Sequence, residues 1–352
     1  MKRFAFLFAI IFLLFGNAAA QDMSKMTKKH HIENGFANTH NNYKLPGFSD
    51  MLKWRWDRIG KENPNNGHYD FPMGENDPKF LQQNRTETTV TWIGQATLLL
   101  QIGGKNILTD PMFSERASPF DNIGPKRYIK PGIAMEELPQ IDIVVVSHNH
   151  YDHLDTKSLK ALHERDGGDK TVFMAPLGLK AWFEDAGITN VMERDWWEET
   201  EFDGVTVVAV PVQHWSRRSM FSTNDTLWCG WAVFSPAFRF VFLGDTGYTP
   251  HFKEIAEKYG PFDLAAIPIG AYEPRWFMKF SHMNPEEAVK THFDLNTRKS
   301  VAMHWGTFVL TDEPLDEPPR KLKEEREKAG ISEDDFFILR HGDSRILGES
   351  SR

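Results

Sequence analysis

The sequence predicts an α/β domain, and three observations predict it. Apolar, strand-like runs recur in both halves of the chain, segments with helix caps are interspersed among them, and the residues best suited to chemistry stand directly after those runs. The chain has 352 residues, enough for one large α/β domain or two small ones, and no spacer separates its halves, so one domain is expected.

Regular structure is expected from Thr88 onward. Val90 and Trp92, then Leu98, Leu100 and Ile102, alternate as strand residues do, Gly103-Gly104 signals a hairpin turn, and Asn106–Asp110 is the return strand. Ile141 to Ser147 is a continuous apolar run, the pattern of a strand buried on both faces. A helix is expected over Lys157–Glu164, with Leu159 and Leu162 on one face and Asp155 or Thr156 as its cap. Val205–Val212 and Phe238–Leu243 read as strands, Pro250–Tyr259 as a helix ended by Gly260-Pro261, and Val301–His304 as a short strand. Asn284-Pro285-Glu286-Glu287 is a helix start: a cap, a proline in the first turn, then acids at the positive end of the dipole.

Ahead of this domain, residues 21–85 are polar and irregular, with a turn-rich Asn63–Gly67, and read as an arm packed on a domain spanning 86–352. Trp54 and Trp56 within the arm are expected to pack on the main body. Residues 1–20 have the layout of a signal peptide: Lys2 and Arg3, an apolar run Phe4–Phe15, then Ala18, Ala19 and Ala20 before the expected cleavage point. The run is shorter than the roughly 20 residues of a spanning helix, although an uncleaved anchor is the alternative. An exported protein, periplasmic or secreted, is therefore expected.

The net charge of −8 argues against a general nucleic-acid binder, which needs clustered Lys and Arg. The single cysteine, Cys229, allows no intrachain disulfide and no thiolate cluster, and its Trp-flanked setting reads as core. Aromatic residues make up 13% of the chain, which suits a Trp- and Phe-rich core and leaves a lipid-facing surface open.

The chemical signal is Ser147-His148-Asn149-His150-Tyr151-Asp152-His153. In an extended segment His148 and His150 point the same way and can share a metal, and Asp152 and His153 can face another once the chain turns toward the helix. Nitrogen and carboxylate donors suit zinc, with iron or manganese as options. The motif alone supplies too few ligands for two closed sites. His214, Asp245 and His304 each stand just after an apolar run, as residues converging at one edge of a sheet should, and a carboxylate can bridge two ions.

This ordered set resembles the metallo-β-lactamase superfamily, which implies a four-layer αβ/βα sandwich. The resemblance assigns His148, His150, His214 and Asp245 to one zinc ion and Asp152, His153, Asp245 and His304 to a second. Further blocks (Trp92–Thr97, Leu108–Pro111, Gly124–Arg127, Gly244–Tyr248 and, the most specific, Ile267–Met278) resemble the N-acylphosphatidylethanolamine-hydrolysing phospholipase D family from about His30 to the C-terminus. Gln95 departs from the histidine usual in that family and puts one hydrogen bond beside the site in question. The signal peptide departs from the intracellular animal relatives.

That resemblance implies cleavage of a phospholipid to phosphatidic acid and an N-acylethanolamine, at a peripheral membrane surface. Two ions about 3.5–4 Å apart can bridge a water and lower its pKa toward neutrality, so a bridging hydroxide is the expected nucleophile. Asp152 is expected to orient it. His282 matches a family histidine and is expected to act as acid or phosphate ligand, or else as a helix-start histidine bonded to backbone. Arg217 and Arg218 are candidates for the lipid phosphate, or a solvated charge pair, and Tyr151 for the pocket lining. The other histidines (His30, His31, His40, His68, His163, His251, His292 and His341) lack ligand spacing and read as surface or packing residues. The alternatives are a lactonase or other metallo-hydrolase on the same fold, and a non-catalytic periplasmic lipid- or metal-binding protein. Oligomeric state stays open, a homodimer among the options, and no amphipathic anchor helix is evident.

Overall fold

The computed structural model describes residues 28–40, 46–60, 69–219 and 222–348. The signal segment and its cleavage point, the turn-rich Asn63–Gly67 and His68 lie outside the described residues.

In chain order the arm contributes a short hairpin, β1 (His31–Ile32) and β2 (Gly35–Phe36), and two helices, α1 (Phe48–Asp57) and α2 (Pro78–Gln83). The first half continues with β3 (Thr89–Gly94), β4 (Thr97–Ile102), β5 (Lys105–Thr109), β6 (Ile143–Val145), α3 (Thr156–Glu164), β7 (Val172–Pro176), α4 (Lys180–Asp185) and β8 (Val191–Arg194). The second half holds β9 (Glu199–Phe202), β10 (Val205–Val210), β11 (Gly230–Phe234), β12 (Arg239–Phe242), α5 (His251–Tyr259), β13 (Phe262–Pro268), α6 (Arg275–Met278), α7 (Pro285–Asp294), β14 (Thr297–Met303), α8 (Glu317–Ala329), β15 (Phe336–Phe337) and β16 (Ser344–Ile346).

The strands form two seven-stranded sheets, ordered β16-β3-β4-β5-β6-β7-β8 and β15-β14-β13-β12-β11-β10-β9. Each sheet is half antiparallel and half parallel: β5 to β8 and β12 to β15 run parallel. The period-2 pattern separates the layers. Leu98, Leu100, Ile143 and Val145 enter the large core shared with Val207, Trp231 and Phe240 of the other sheet. Leu99, Val144 and Val146 turn the other way, onto Leu81, Leu159, Leu162 and Phe183 of α2, α3 and α4. Phe252 and Ile255 of α5, Ala288 and Val289 of α7, and Leu322 of α8 pack with the second sheet. The result is the αβ/βα sandwich.

The caps follow the sequence closely. Asp155 caps α3 by accepting from the Lys157 N–H. Asn284 and Glu287 close a capping box on α7 with Pro285 in the first turn. Some boundaries differ. The run at 141–147, which Asp142 interrupts, gives only a three-residue strand, although Val146 N–H still donates to the Met174 carbonyl of β7. β10 stops at Val210 although Val212 stays buried. β14 begins at Thr297, earlier than the apolar pattern, because its polar start pairs with Phe262 of β13.

Of the two arm tryptophans, Trp54 donates Nε1–H to Asp312 Oδ2 at 2.7 Å and stacks near Phe277. Trp56 does not pack on the body: it is 75% exposed, on the opposite side of α1. Leu52 and Trp56 on α1, and Ile59 just past its end, are exposed apolar side chains.

Candidate metal centre

Four loops bring the chemistry together, each leaving the end of a strand. His148, His150, Asp152 and His153 lie beyond β6, His214 beyond β10, Asp245 beyond β12 and His304 beyond β14. All seven fall into two compact groups. His148, His150, His214 and Asp245 form one, Asp152, His153, Asp245 and His304 the other, and in each the donor atoms lie within 4.8 Å of one another.

The contacts suit a cation better than hydrogen bonds. His148 Nε2 is 2.7 Å from His150 Nδ1, His214 Nε2 is 3.2 Å from that same nitrogen, and His153 Nε2 is 3.2 Å from His304 Nε2. Pairs of unprotonated imidazole nitrogens repel at such distances unless a positive charge lies between them. Asp245 stands at the junction: Oδ2 is 3.0 Å from His153 Nε2, and Oδ1 is 3.0 Å from His304 Nε2. Burial, and then the charge of neighbouring histidines, pushes His148 and His214 well below the usual imidazole range, and burial brings His150 to about 4. Burial also works against protonated His153 and His304, but Asp245 and Asp152 overcome it and raise both, His304 to about 9. The first group therefore offers neutral nitrogens, and the second offers carboxylates that demand positive charge. A divalent cation satisfies both demands, so the residues fit the metal.

The imidazoles are held from behind. Asp110, fully buried after β5, accepts from Ser147 N at 2.7 Å and Ser147 Oγ at 2.6 Å, and its Oδ2 is 2.6 Å from His153 Nδ1. Ser147 Oγ is in turn 2.9 Å from His148 Nδ1. His214 donates from Nδ1 to the Ser281 carbonyl at 2.9 Å, and Asn38 of the arm donates to the His214 carbonyl at 2.8 Å. These bonds fix which nitrogen faces the centre. Gln95 makes the contact that its departure from the family histidine left open: Nε2 lies 2.9 Å from Asp152 Oδ2 and 2.8 Å from His304 Nε2. A Cβ on Gly270 would come within 2.2 Å of the His304 carbonyl, so only glycine lets the Ile267–Met278 block lie against that residue.

Sequence reading missed Asp110 as a site residue, although it follows an apolar strand as Asp245 does. It missed Asn38 because the arm carries no periodic pattern.

His282 is brought to the centre. Its Nδ1 is 3.9 Å from Asp245 Oδ2 and has no hydrogen-bond partner among the described residues, and burial holds its pKa near 4. Tyr151 donates its hydroxyl to the Arg218 carbonyl. The Arg218 guanidinium lies 4.3 Å over the Tyr151 ring and donates to Asn149 O and Thr156 Oγ1. Both residues line a cleft of about 700 Å³ with Phe113, Pro119, Phe120 and Leu154. Arg217 is exposed, and its Nε donates to Ser219 O.

Two groups of the remaining histidines gather on carboxylates. His30 and His31 meet Asp195, and His40 and His251 meet Glu254. Their partners lie more than 160 positions away in all but one pair, so chain spacing could not reveal them. His292 bonds Ser300 Oγ, and His341 lies on Trp92 and meets Thr307 Oγ1.

Residues 105–305 match the family described as β-lactamase superfamily domain. The chain is 45% identical over 259 residues to N-acyl-phosphatidylethanolamine-hydrolyzing phospholipase D 1 of Caenorhabditis elegans, covering 70% of this chain and 72% of that one. It belongs to the N-acylphosphatidylethanolamine-hydrolysing phospholipase D family. The mitochondrial member of Saccharomyces cerevisiae is 38% identical over 250 residues, 69% of this chain and 53% of that protein. Among solved structures, Igni18, a metallo hydrolase of Ignicoccus hospitalis, aligns with a TM-score of 0.58 at 20% identity, over 75% of this chain and 99% of that one, a likeness of fold. As a phospholipase D family member of the metallo-β-lactamase superfamily, the protein is a metallo-hydrolase, and the His/Asp groups around Asp245 are residues that could hold its metal.

Proposed function

We propose that the protein is a binuclear zinc phosphodiesterase of phospholipase D type, which hydrolyses N-acylphosphatidylethanolamine-like lipids to phosphatidic acid and an N-acylethanolamine. The observation that carries this reading is the pair of donor groups joined through Asp245, in a chain 45% identical to a relative named for that reaction. His148, His150, His214 and Asp245 would hold one ion and Asp152, His153, Asp245 and His304 the other. When bound, the ions supply Lewis-acid charge neutralisation at the phosphate and lower the pKa of water.

The chain's own groups do the rest. Asp152 Oδ2, steadied by Gln95 Nε2, accepts a hydrogen bond from the attacking water and aims it at phosphorus. The phosphorus–oxygen bond to the ethanolamide breaks, and the departing oxygen takes a proton. His282, whose Nδ1 is 3.9 Å from Asp245 Oδ2 and has no hydrogen-bond partner among the described residues, would bond a phosphate oxygen or pass the proton. Tyr151 and Arg218 wall the adjoining cleft, whose Phe113, Pro119, Phe120 and Leu154 suit an acyl chain.

A lipid substrate requires a membrane surface, and α1 supports one. Trp56 and Ile59 are 75% and 72% exposed, and Trp276 beside Lys53 is 45% exposed. Arg55 stands beside them, with Lys53 paired to Asp57 and Arg58 to Asp312, and basic groups next to apolar ones suit an anionic interface. Among the described residues no helix is long and apolar enough to cross a membrane. Sedimentation with anionic vesicles should carry down the protein, and Trp56→Asp with Ile59→Asp should leave it in the supernatant; equal pelleting would remove α1 from this role. Export to the periplasm or beyond rests on the N-terminal sequence.

The deciding assay incubates the chain with N-acylphosphatidylethanolamine in detergent, with and without chelator, beside Asp152→Asn. Release of both products, abolished by chelator and by the substitution, is expected. Metal-loaded protein that releases neither, but opens a lactone, would move the chemistry to that alternative. His282→Ala should lower turnover by about 10²-fold while metal content stays at the wild-type value. Loss of metal in that variant would make His282 structural.

A further inference from the structure

Both histidine clusters outside the centre are assembled by residues 28–40 against the domain, and charge distinguishes them. In the first, His30 Nε2 and His31 Nε2 reach the two oxygens of Asp195 at 2.6 and 2.8 Å. Lys28 Nζ occupies the same carboxylate at 2.6 Å, an ammonium that already meets its charge and would repel a cation. In the second, His40 Nε2 is 2.8 Å from Glu254 Oε1 and His251 Nδ1 is 2.8 Å from Glu254 Oε2. Among the described ion pairs, Glu254 meets histidines and no lysine or arginine.

We propose that His40, His251 and Glu254 form a further divalent-cation site, of the zinc class, that clasps the arm to α5. The donors are two imidazole nitrogens and a carboxylate, the set zinc favours, and they lie within 4.8 Å of one another. Metal–donor bonds of about 2.0–2.2 Å need donor atoms only a little over 3 Å apart, so small side-chain adjustments suffice. His251 and Glu254 are one turn apart on α5 and share a face.

The second observation is behind the ring. His251 Nε2 lies 2.9 Å from Thr39 Oγ1, the outer hydrogen bond that orients a ligating imidazole and leaves Nδ1 toward the cation. Burial holds the His251 pKa near 4, so the ring is neutral at physiological pH, as a ligand must be. His40 is partly exposed, which leaves a position for water and makes the ion exchangeable.

The site bears on the centre through the chain. Asn38, two residues before His40, donates to the carbonyl of His214. A cation on His40 would fasten the stretch that supports that ligand.

The test counts ions without relying on turnover. The full chain is loaded with zinc, desalted, and titrated with further zinc by calorimetry, with metal per chain read by plasma mass spectrometry. The wild type should take one equivalent beyond what survives desalting. His40→Ala and Glu254→Gln, both at partly exposed positions, should bind that equivalent at least ten-fold more weakly while retaining the same desalting-resistant zinc. Superimposable titrations of wild type and both variants, or no additional equivalent in the wild type, would overturn the proposal and leave an ordinary ion-paired cluster.

Discussion

Asp245→Asn should empty both donor groups together and take turnover to background. The change keeps the side chain's size and removes its charge. Asp245 Oδ2 lies 3.0 Å from His153 Nε2 and 3.9 Å from His214 Nε2, and Oδ1 lies 3.0 Å from His304 Nε2, so one carboxylate serves both groups. Removing an outer partner of a metal ligand costs about 10–100-fold in affinity or activity. A shared ligand has to cost more than that in each group. Metal per chain, measured beside circular dichroism to establish the fold, reads the effect. A variant that retains one group fully loaded would show that the carboxylate belongs to the other alone.

Asp110→Asn should lower metal affinity by about 10–100-fold without touching a donor atom. The buried carboxyl holds Ser147 N and Oγ and His153 Nδ1, and through Ser147 it steadies His148. Burial pushes its pKa up, against the pull of His153 and the Ser147 donors. The amide can accept from only one side, so one of the two orientations is lost. Asp110→Ala removes all three acceptor contacts and should cost about 3–5 kcal/mol of stability, read by denaturant unfolding of metal-free protein. Asn and Ala variants with equal metal affinity would show that position 110 only fills space.

The divide between what the sequence disclosed and what it hid follows physical range. Leu98, Leu100 and Ile102 announced a strand because each face is buried against a different layer, and alternation is the trace of that. His148 to His153 announced a centre because a single bend aims four donors. Asp245 and His304 could be joined to them because each ends an apolar strand. Residues 199–202, by contrast, form the edge strand β9 with alternate exposure and two glutamates, Glu199 and Glu201, among four residues, and nothing local separates them from a loop. The exposed face of α1 was hidden because Trp54 and Trp56 look alike in sequence, and only Asp312 and Phe277 select which one packs. The clusters on Asp195 and Glu254 depend on the course of the arm, which no periodicity specifies.

The ligands hang from both sheets. His148, His150, Asp152 and His153 leave the first, and His214, Asp245 and His304 leave the second. A cation held among them cross-links the two halves of the sandwich at their seam, and it can do so only once both halves are in register. Ion supply and folding are then one linked equilibrium: at a free cation concentration 100 times its dissociation constant, occupancy adds about 2.7 kcal/mol to the native state. For such a chain the availability of metal where it folds sets how much native protein exists, before it sets how fast that protein works.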